Sequence, residues 1–133
     1  MIKDIKDLND RFNITNTVRN MDPILKKEYL DFRINFLKEE LSELQTARDI
    51  NNADGIVDAL IDLVVVALGT LESFDININK AWTRVHFANM LKEKGINNTR
   101  DNKFNLPDLV KPESWKEPYH KDNIGTLEEI KND

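Results

Sequence analysis

Residues 39–62 read EELSELQTARDINNADGIVDALID, and the fold prediction starts from this segment. It contains two acidic clusters, Glu39-Glu40-Glu43 and Asp58-Asp62. The second cluster lies in a run from Ile56 to Leu68, and all residues of this run except the two aspartates are apolar. The length of this run favours a buried helix over a strand. Residues four apart on a helix share one face, so we expect the two aspartates side by side in an apolar setting.

Carboxylates in such a setting require a balancing charge, because burying an unpaired ion costs several kcal/mol. The apolar run contains no basic residue, and the first cluster is acidic as well. The simplest neutraliser is a divalent cation between two successive helices. The expected metal ligands are Glu40, Glu43, Asp58 and Asp62. Ligand sets made only of carboxylate oxygens suit Mg²⁺ or Mn²⁺ better than zinc.

Two other interpretations of the acidic residues stay open at this point. The glutamates around residue 40 also fit a solvated helix face. The aspartates also fit buried hydrogen-bond networks or ion pairs with distant arginines. Arginines available for such pairs are Arg33, Arg48 and Arg84.

Length and composition restrict the class of protein. A chain of 133 residues predicts a single domain, and the net charge of −5 argues against nucleic acid as a partner. The chain has no cysteine, which excludes disulfides and thiolate metal sites. The charged N-terminus has no apolar signal segment, and the run at residues 56–68 is too short to span a membrane. We therefore expect a soluble cytoplasmic protein without a membrane partner. Heavy use of Asn, Ile and Lys suggests an AT-rich genome, such as that of a phage acting in its host's cytoplasm.

Apolar spacing predicts helices along most of the chain. Residues 2–12 predict a short amphipathic helix, and 13–21 predict an irregular segment. Asp22-Pro23 is typical of a helix start, and an apolar stripe follows it. The stripe consists of Leu30, Ile34, Leu37, Leu41 and Leu44. Residues 49–55 predict a short loop, which favours antiparallel packing of the helices on either side.

The second half of the chain predicts a helix at 56–74 and another at 78–94, stopped by Gly95. Asn89 and Lys92 lie three apart on the latter, a spacing that fits either a phosphate contact or plain surface. We expect an all-α antiparallel bundle with its helical core at about 22–95. Residues 96–133 predict an irregular tail that contains prolines. The apolar helix at 56–68 needs more cover than the other helices give, so we expect oligomerisation to complete the bundle.

Three stretches of the sequence resemble a known family. The spacing Glu40-x-x-Glu43, followed by Asp58-x-x-x-Asp62, is similar to the ExxE and ExxD pattern of MazG-like all-α nucleoside triphosphate pyrophosphatases. EELSEL, VDALIDLVVVALGT and VHFANMLK resemble the phosphoribosyl-ATP pyrophosphohydrolase-like branch. The resemblance covers residues 33–94. Two positions depart from the pattern: Ala59 replaces a glutamate, with Asp58 as its substitute, and Ala88 replaces a serine.

This resemblance implies a metal-dependent nucleotide pyrophosphohydrolase that converts a nucleoside triphosphate, with ribose or deoxyribose, to monophosphate and pyrophosphate. By position, Glu40, Glu43 and Asp62 would hold the metal, and Glu39 would orient or deprotonate water. Asn89 and Lys92 would contact the substrate, and Arg33 is a further substrate-binding candidate. The expected assembly is a homodimer or homotetramer. The alternatives are hydrolysis of another phosphoanhydride, such as phosphoribosyl-ATP or an alarmone, and a non-catalytic helical interaction module.

Overall fold

The computed structural model of the protein describes residues 1–96 and 102–130. The chain divides into two compact units, Met1–Ile78 with Asn123–Asp133 and Asn79–Asp122. The described part contains five α-helices: α1 (Ile2–Arg11), α2 (Ile14–Arg19), α3 (Pro23–Asp49), α4 (Ala53–Ser73) and α5 (Ile78–Met90). Two short strands, β1 (Glu93–Gly95) and β2 (Asp108–Val110), pair as an antiparallel ribbon. The predicted all-α class is therefore confirmed, with this ribbon as a minor addition.

The start of α3 follows from its first two residues. Asp22 is the N-cap, and its carboxylate accepts a hydrogen bond of 2.8 Å from the backbone N–H of Leu25. Pro23 occupies the first turn, where a missing N–H leaves no bond unmade. The predicted helix start is confirmed.

A connection of three residues, 50–52, joins α3 to α4. It is shorter than predicted because Asn52 caps α4 by accepting a hydrogen bond of 3.1 Å from Gly55 N–H, which includes Ala53–Gly55 in the helix. Residues further along α3 contact residues earlier in α4. Tyr29 meets Ser73, and Arg33 meets Val66 and Thr70. The two helices are therefore antiparallel, as the short connection predicts.

The helix α2 corrects one expectation, since residues 13–21 were predicted to be irregular. Thr15 and Val18 of α2 are buried, and Val18 packs in a core cluster with Phe74 and Ile76. A second cluster joins Ile5 of α1, Leu68 of α4 and Ile78. Tertiary burial of a few side chains thus stabilises a helix of six residues that is too short to form alone.

Gly69 is the point where three helices meet in the first unit. A Cβ there would lie 2.9 Å from Nη2 of Arg33 and 3.9 Å from Oδ1 of Asn9. The Asn9 amide donates a hydrogen bond of 3.3 Å to the Gly69 carbonyl. A side chain at this position would displace the Arg33 guanidinium from its contacts with α4, which gives a reason for a glycine in the middle of the helix.

The end of the chain returns to the first unit as a 3₁₀ turn, Gly125–Glu129. Lys26, which is 1% exposed, donates a hydrogen bond of 2.6 Å to Glu129 and another of 3.1 Å to the Arg19 carbonyl. Gly125 has a φ of 52°, and a Cβ on it would lie 1.9 Å from the Phe74 carbonyl oxygen. The turn is therefore fixed by an ion pair whose lysine is buried and by a position that only glycine fits.

In the second unit, α5 ends at Met90, not near Lys94 as the sequence predicted. Lys94 pairs with Leu109 and Gly95 with Asp108, so strand pairing replaces the last predicted helical turn. Gly95 does not stop the helix. A Cβ on Gly95 would lie 2.4 Å from a methyl group of Val110, so the glycine allows close packing of the ribbon.

The outer face of α4 is apolar and exposed. Its exposed apolar residues are Val57, Leu60, Ile61 and Val64. These positions recur at helical spacing, so they form a continuous stripe on one side of the helix. None of the described helices is both long and apolar enough to cross a membrane.

Candidate metal centre

The four acidic residues of the two predicted pairs lie on helices that pack against each other. Glu40 and Glu43 lie one turn apart on α3, and Asp58 and Asp62 lie one turn apart on α4. The antiparallel packing places the middle of α3 beside the first half of α4. Two helices fixed by packing thus present carboxylates toward one another.

Three of these carboxylates converge on one point. Glu40, Glu43 and Asp62 each supply one oxygen atom, and these three atoms lie within 4.8 Å of one another. Asp58 is exposed and lies outside this group. The structure therefore brings together three of the four ligands that the sequence predicts.

Glu40 lies at the centre of the group. The residue is half-buried, but its Oε2 atom is completely buried, and no described residue donates a hydrogen bond to it. Burial raises the pKa of the Glu40 carboxyl above its ordinary value, and the negative charge of Glu43 is the next largest cause. Asp62 raises the pKa further, and Asp58 adds a smaller effect of the same sign. A buried carboxyl oxygen with no donor among the described residues, close to other carboxylates, fits a site that a cation would neutralise.

The nearby Arg33 forms hydrogen bonds with other groups. Arg33 lies two helical turns before Glu40, and its guanidinium donates hydrogen bonds of 2.9 Å to the Thr70 hydroxyl and the Val66 carbonyl. It also lies over the Phe36 ring at 5.5 Å from the centroid. Among the residues that the structure describes, none of the four carboxylates forms an ion pair with a lysine or arginine.

The donor set fits a hard divalent cation. Carboxylate oxygens are the ligands that Mg²⁺ and Mn²⁺ prefer, and these ions usually bind few protein ligands while keeping water molecules. Glu40, Glu43 and Asp62 offer three such oxygens, and the Oε2 atom of Glu40 accepts no hydrogen bond from the described residues. The orphaned Glu40 oxygen is the feature that a purely structural network would not leave.

A groove of about 320 Å³ adjoins the centre, at the end of α3 and the start of α4. Glu43 and Asp58 lie on its wall, together with the hydroxyl-bearing Ser42 and Thr46. Ser42 and Thr46 were not singled out in the sequence, where their only signal is a position within one turn of Glu43. The groove places polar groups on the open side of the carboxylates.

The remaining predicted site residues lie apart from the carboxylate group itself or in the other unit. Glu39 precedes Glu40 on α3, and its side chain is exposed. Asn89, near the end of α5, is exposed, and Lys92 is half-buried with its Nζ atom 5.6 Å from the centre of the Trp115 ring. Both belong to the second unit.

Comparison with known proteins gives one match. Searches of curated proteins and of solved structures find no protein that matches this chain. A family model, described as phosphoribosyl-ATP pyrophosphohydrolase, matches residues 5–89, which is more than half of the chain. The match includes α3, α4 and all four carboxylates. The chain therefore belongs to the phosphoribosyl-ATP pyrophosphohydrolase family, whose members hydrolyse a phosphoanhydride bond of a nucleotide.

Proposed function

We propose that the protein is a metal-dependent nucleoside triphosphate pyrophosphohydrolase, which releases pyrophosphate and leaves a nucleoside monophosphate. The observation that carries this proposal is the convergence of Glu40, Glu43 and Asp62, together with a buried Glu40 oxygen that accepts no hydrogen bond from the described residues. Family membership supplies the class of reaction.

Glu40, Glu43 and Asp62 would hold Mg²⁺ or Mn²⁺, and Asp58 would join them through the open side of the site. When bound, the ion would neutralise phosphate charge and lower the pKa of a coordinated water. Without such an ion, this cluster would repel a triphosphate, since both are anionic.

Glu39 is the proposed general base. Its carboxylate is exposed and lies next to Glu40 in the sequence, so it is accessible to a water molecule at the edge of the group. Glu39 would accept a proton as the water oxygen bonds to phosphorus. The phosphoanhydride P–O bond then breaks, and the two products are the monophosphate and pyrophosphate.

Asn89 and Lys92 are proposed substrate contacts, with Lys92 at phosphate. Arg33 is also a proposed substrate contact, although two of its N–H groups bind α4. The protein is proposed to act as a homodimer or homotetramer in the cytoplasm. The exposed apolar stripe of α4 supports the proposed oligomer, because a second copy of the chain would cover the stripe. Light scattering that shows a monomer at micromolar concentration would contradict the assembly.

Phosphoribosyl-ATP is the second candidate substrate, because the matching family model carries that description. Both candidates contain the same triphosphate chain, so the acidic centre does not discriminate between them. The test is phosphorus NMR of the products formed from each ribonucleoside and deoxyribonucleoside triphosphate and from phosphoribosyl-ATP, with Mg²⁺ or Mn²⁺. We expect pyrophosphate as the first product. Orthophosphate as the first product, or full activity in excess chelator, would overturn the proposal.

A further inference from the structure

The second unit contains a group of lysines that the acidic centre does not explain. β1 and β2 are antiparallel, with Glu93 opposite Val110 and Lys94 opposite Leu109. One further step in this register sets Lys92 opposite Lys111. Side chains of a strand alternate between its two faces, so Lys92, Lys94 and Lys111 are expected on one face of the ribbon.

Trp115 brings two of these lysines together. Nζ of Lys92 lies 5.6 Å from the centre of the indole ring, and Nζ of Lys111 lies 4.8 Å from it. Because both Nζ atoms are measured from the same ring centre, the distance between them is at most the sum of these two distances. The ring is itself fixed, because its Nε1–H donates a hydrogen bond of 2.7 Å to the Ala88 carbonyl of α5. A second hydrogen bond, of 2.9 Å, runs from the Trp115 backbone N–H to the Pro112 carbonyl.

The charge of this pair is unbalanced. Within residues 1–96 and 102–130, neither Lys92 nor Lys111 forms an ion pair with a carboxylate. Other cations of the same unit are paired, since Arg84 donates a hydrogen bond of 2.9 Å to Asp122 and Lys80 lies 3.6 Å from it. An anion that lies near both ammonium groups would be attracted by both charges.

A purely structural explanation accounts for the position of Lys92 but not for that of Lys111. Lys92 follows the end of α5, where a cation is favoured by the helix dipole and by the last carbonyl groups. Lys111 follows the other strand, so the dipole does not account for its position. Both lysines lie outside residues 5–89, so the family match accounts for neither.

We propose that Lys92 and Lys111, positioned by Trp115, form a binding site for phosphate oxygens of pyrophosphate or of a nucleoside polyphosphate. Lysine acts as a point charge with three donors, so two lysines tolerate several orientations of a polyphosphate chain. Trp115 is a positioning residue, because its ring holds both ammonium groups without contacting the anion. As a site for the phosphates of the substrate, this inference rests on the proposed function.

The test measures binding of inorganic pyrophosphate to the full chain in excess chelator, so that metal at the acidic centre does not contribute. The chain has two tryptophans, and Trp82→Phe leaves Trp115 as the single fluorescent reporter. We expect a saturable change in its emission that weakens as salt is added. Isothermal titration calorimetry gives the same affinity without depending on the indole.

Lys111→Ala is expected to weaken pyrophosphate binding roughly tenfold, and Lys92→Ala by a similar factor. Lys111→Arg should retain most of the affinity. Lys121→Ala is the matched control, since it removes the same charge from an exposed position of the same unit and should bind as the parent does. Melting curves of each variant separate loss of the site from loss of the fold, and Lys111→Gln replaces Lys111→Ala if the latter unfolds.

Three results would overturn the inference: no saturable binding, equal affinity of the Lys111→Ala and Lys121→Ala variants, or equally tight binding of a single-stranded oligonucleotide. Failure of the proposed function gives a different result. In that case hydrolysis with Mg²⁺ is absent, while pyrophosphate binding in chelator still depends on Lys111. If hydrolysis is present but KM does not change in Lys111→Ala, the inference fails and the proposed function stands.

Discussion

The contact between α3 and α4 is polar at two places, and the two places differ in how their polar atoms are satisfied. Near one end, the Ser73 hydroxyl donates to the Gly69 carbonyl at 2.7 Å and lies 2.9 Å from the Tyr29 hydroxyl. The Asn9 amide donates to Ser73 and to Thr15, at 3.3 and 3.1 Å. Near the other end, the buried Oε2 atom of Glu40 has no donor among the described residues, and Glu43 and Asp62 lie close to it.

This difference separates a structural group from a functional one. Ser73 is fully buried, and every bond it makes is internal to the protein. At the carboxylate end, burial and the negative charges of Glu43 and Asp62 raise the pKa of Glu40 instead. A fold gains nothing from such an arrangement by itself, so the carboxylate end indicates a ligand from outside the chain.

The largest expected effect comes from removing one ligand at the carboxylate end. Glu43→Gln or Asp62→Asn should lower turnover on the order of a hundredfold or more, because each deletes a metal ligand. The metal-free melting temperature should stay level or rise, because repulsion with Glu40 decreases. Pyrophosphate release and thermal melts in chelator measure the two effects. Variants that melt well below the wild type would mean that the carboxylates form a structural network.

The second prediction concerns the metal. Mg²⁺ at about one hundred times its Kd should add about 2.7 kcal/mol to the free energy of unfolding of the wild type. The Glu43→Gln and Asp62→Asn variants should gain much less at the same concentration. Melting curves with increasing Mg²⁺ provide the measurement. Equal gains in all three proteins would place the ion elsewhere.

The third prediction concerns the satisfied end. Ser73→Ala should lower the free energy of unfolding by about 1–3 kcal/mol, because Asn9 and Tyr29 each lose a buried partner. Turnover by the folded enzyme should not change. Urea unfolding measures the loss, and Ser114→Ala, at an exposed position, is the control. If Ser73→Ala lost most of its turnover while its free energy of unfolding stayed unchanged, the Ser73 end would not be purely structural.

The smallest effect is a pH dependence of the metal-free protein. The folded pKa of Glu40 is raised above its ordinary value of 4.5, so ionising it costs more in the folded state than in the unfolded state. The stability tied to this group is present below pH 4.5 and is lost as the pH rises through the raised pKa. In chelator, Glu40→Gln should therefore lose less stability than the wild type over this pH interval. A steeper loss in the variant would contradict the buried, repelled state of Glu40.

Several features could be predicted because they depend on residues close in sequence. The start of α3 follows from Asp22-Pro23, since a cap and a preset φ act within one turn. The short loop expected at residues 49–55 predicts antiparallel neighbours. The spacing of Glu40 with Glu43 then predicts carboxylates that face α4.

Other features could not be predicted from local pattern. The six residues of α2 form a helix because Val18 is buried against Phe74, which lies far along the chain. α5 ends early because its expected last turn pairs with Asp108–Val110 instead. Arg33 was a candidate both for substrate binding and for pairing with the aspartates, yet the structure uses its guanidinium to join α3 to Thr70 and Val66.

Local sequence was enough to predict α1, α3, α4 and the start of α5, and the faces that carry the acids, because helical periodicity and capping act over a few residues. Tertiary packing sets the convergence of Glu40, Glu43 and Asp62, with Asp58 outside the group. It also decided that Lys92 and Lys111 share the ring of Trp115. These outcomes depend on side-chain distances across packed elements, and such distances are fixed by the packing of residues far apart in the chain, which spacing within one helix does not specify.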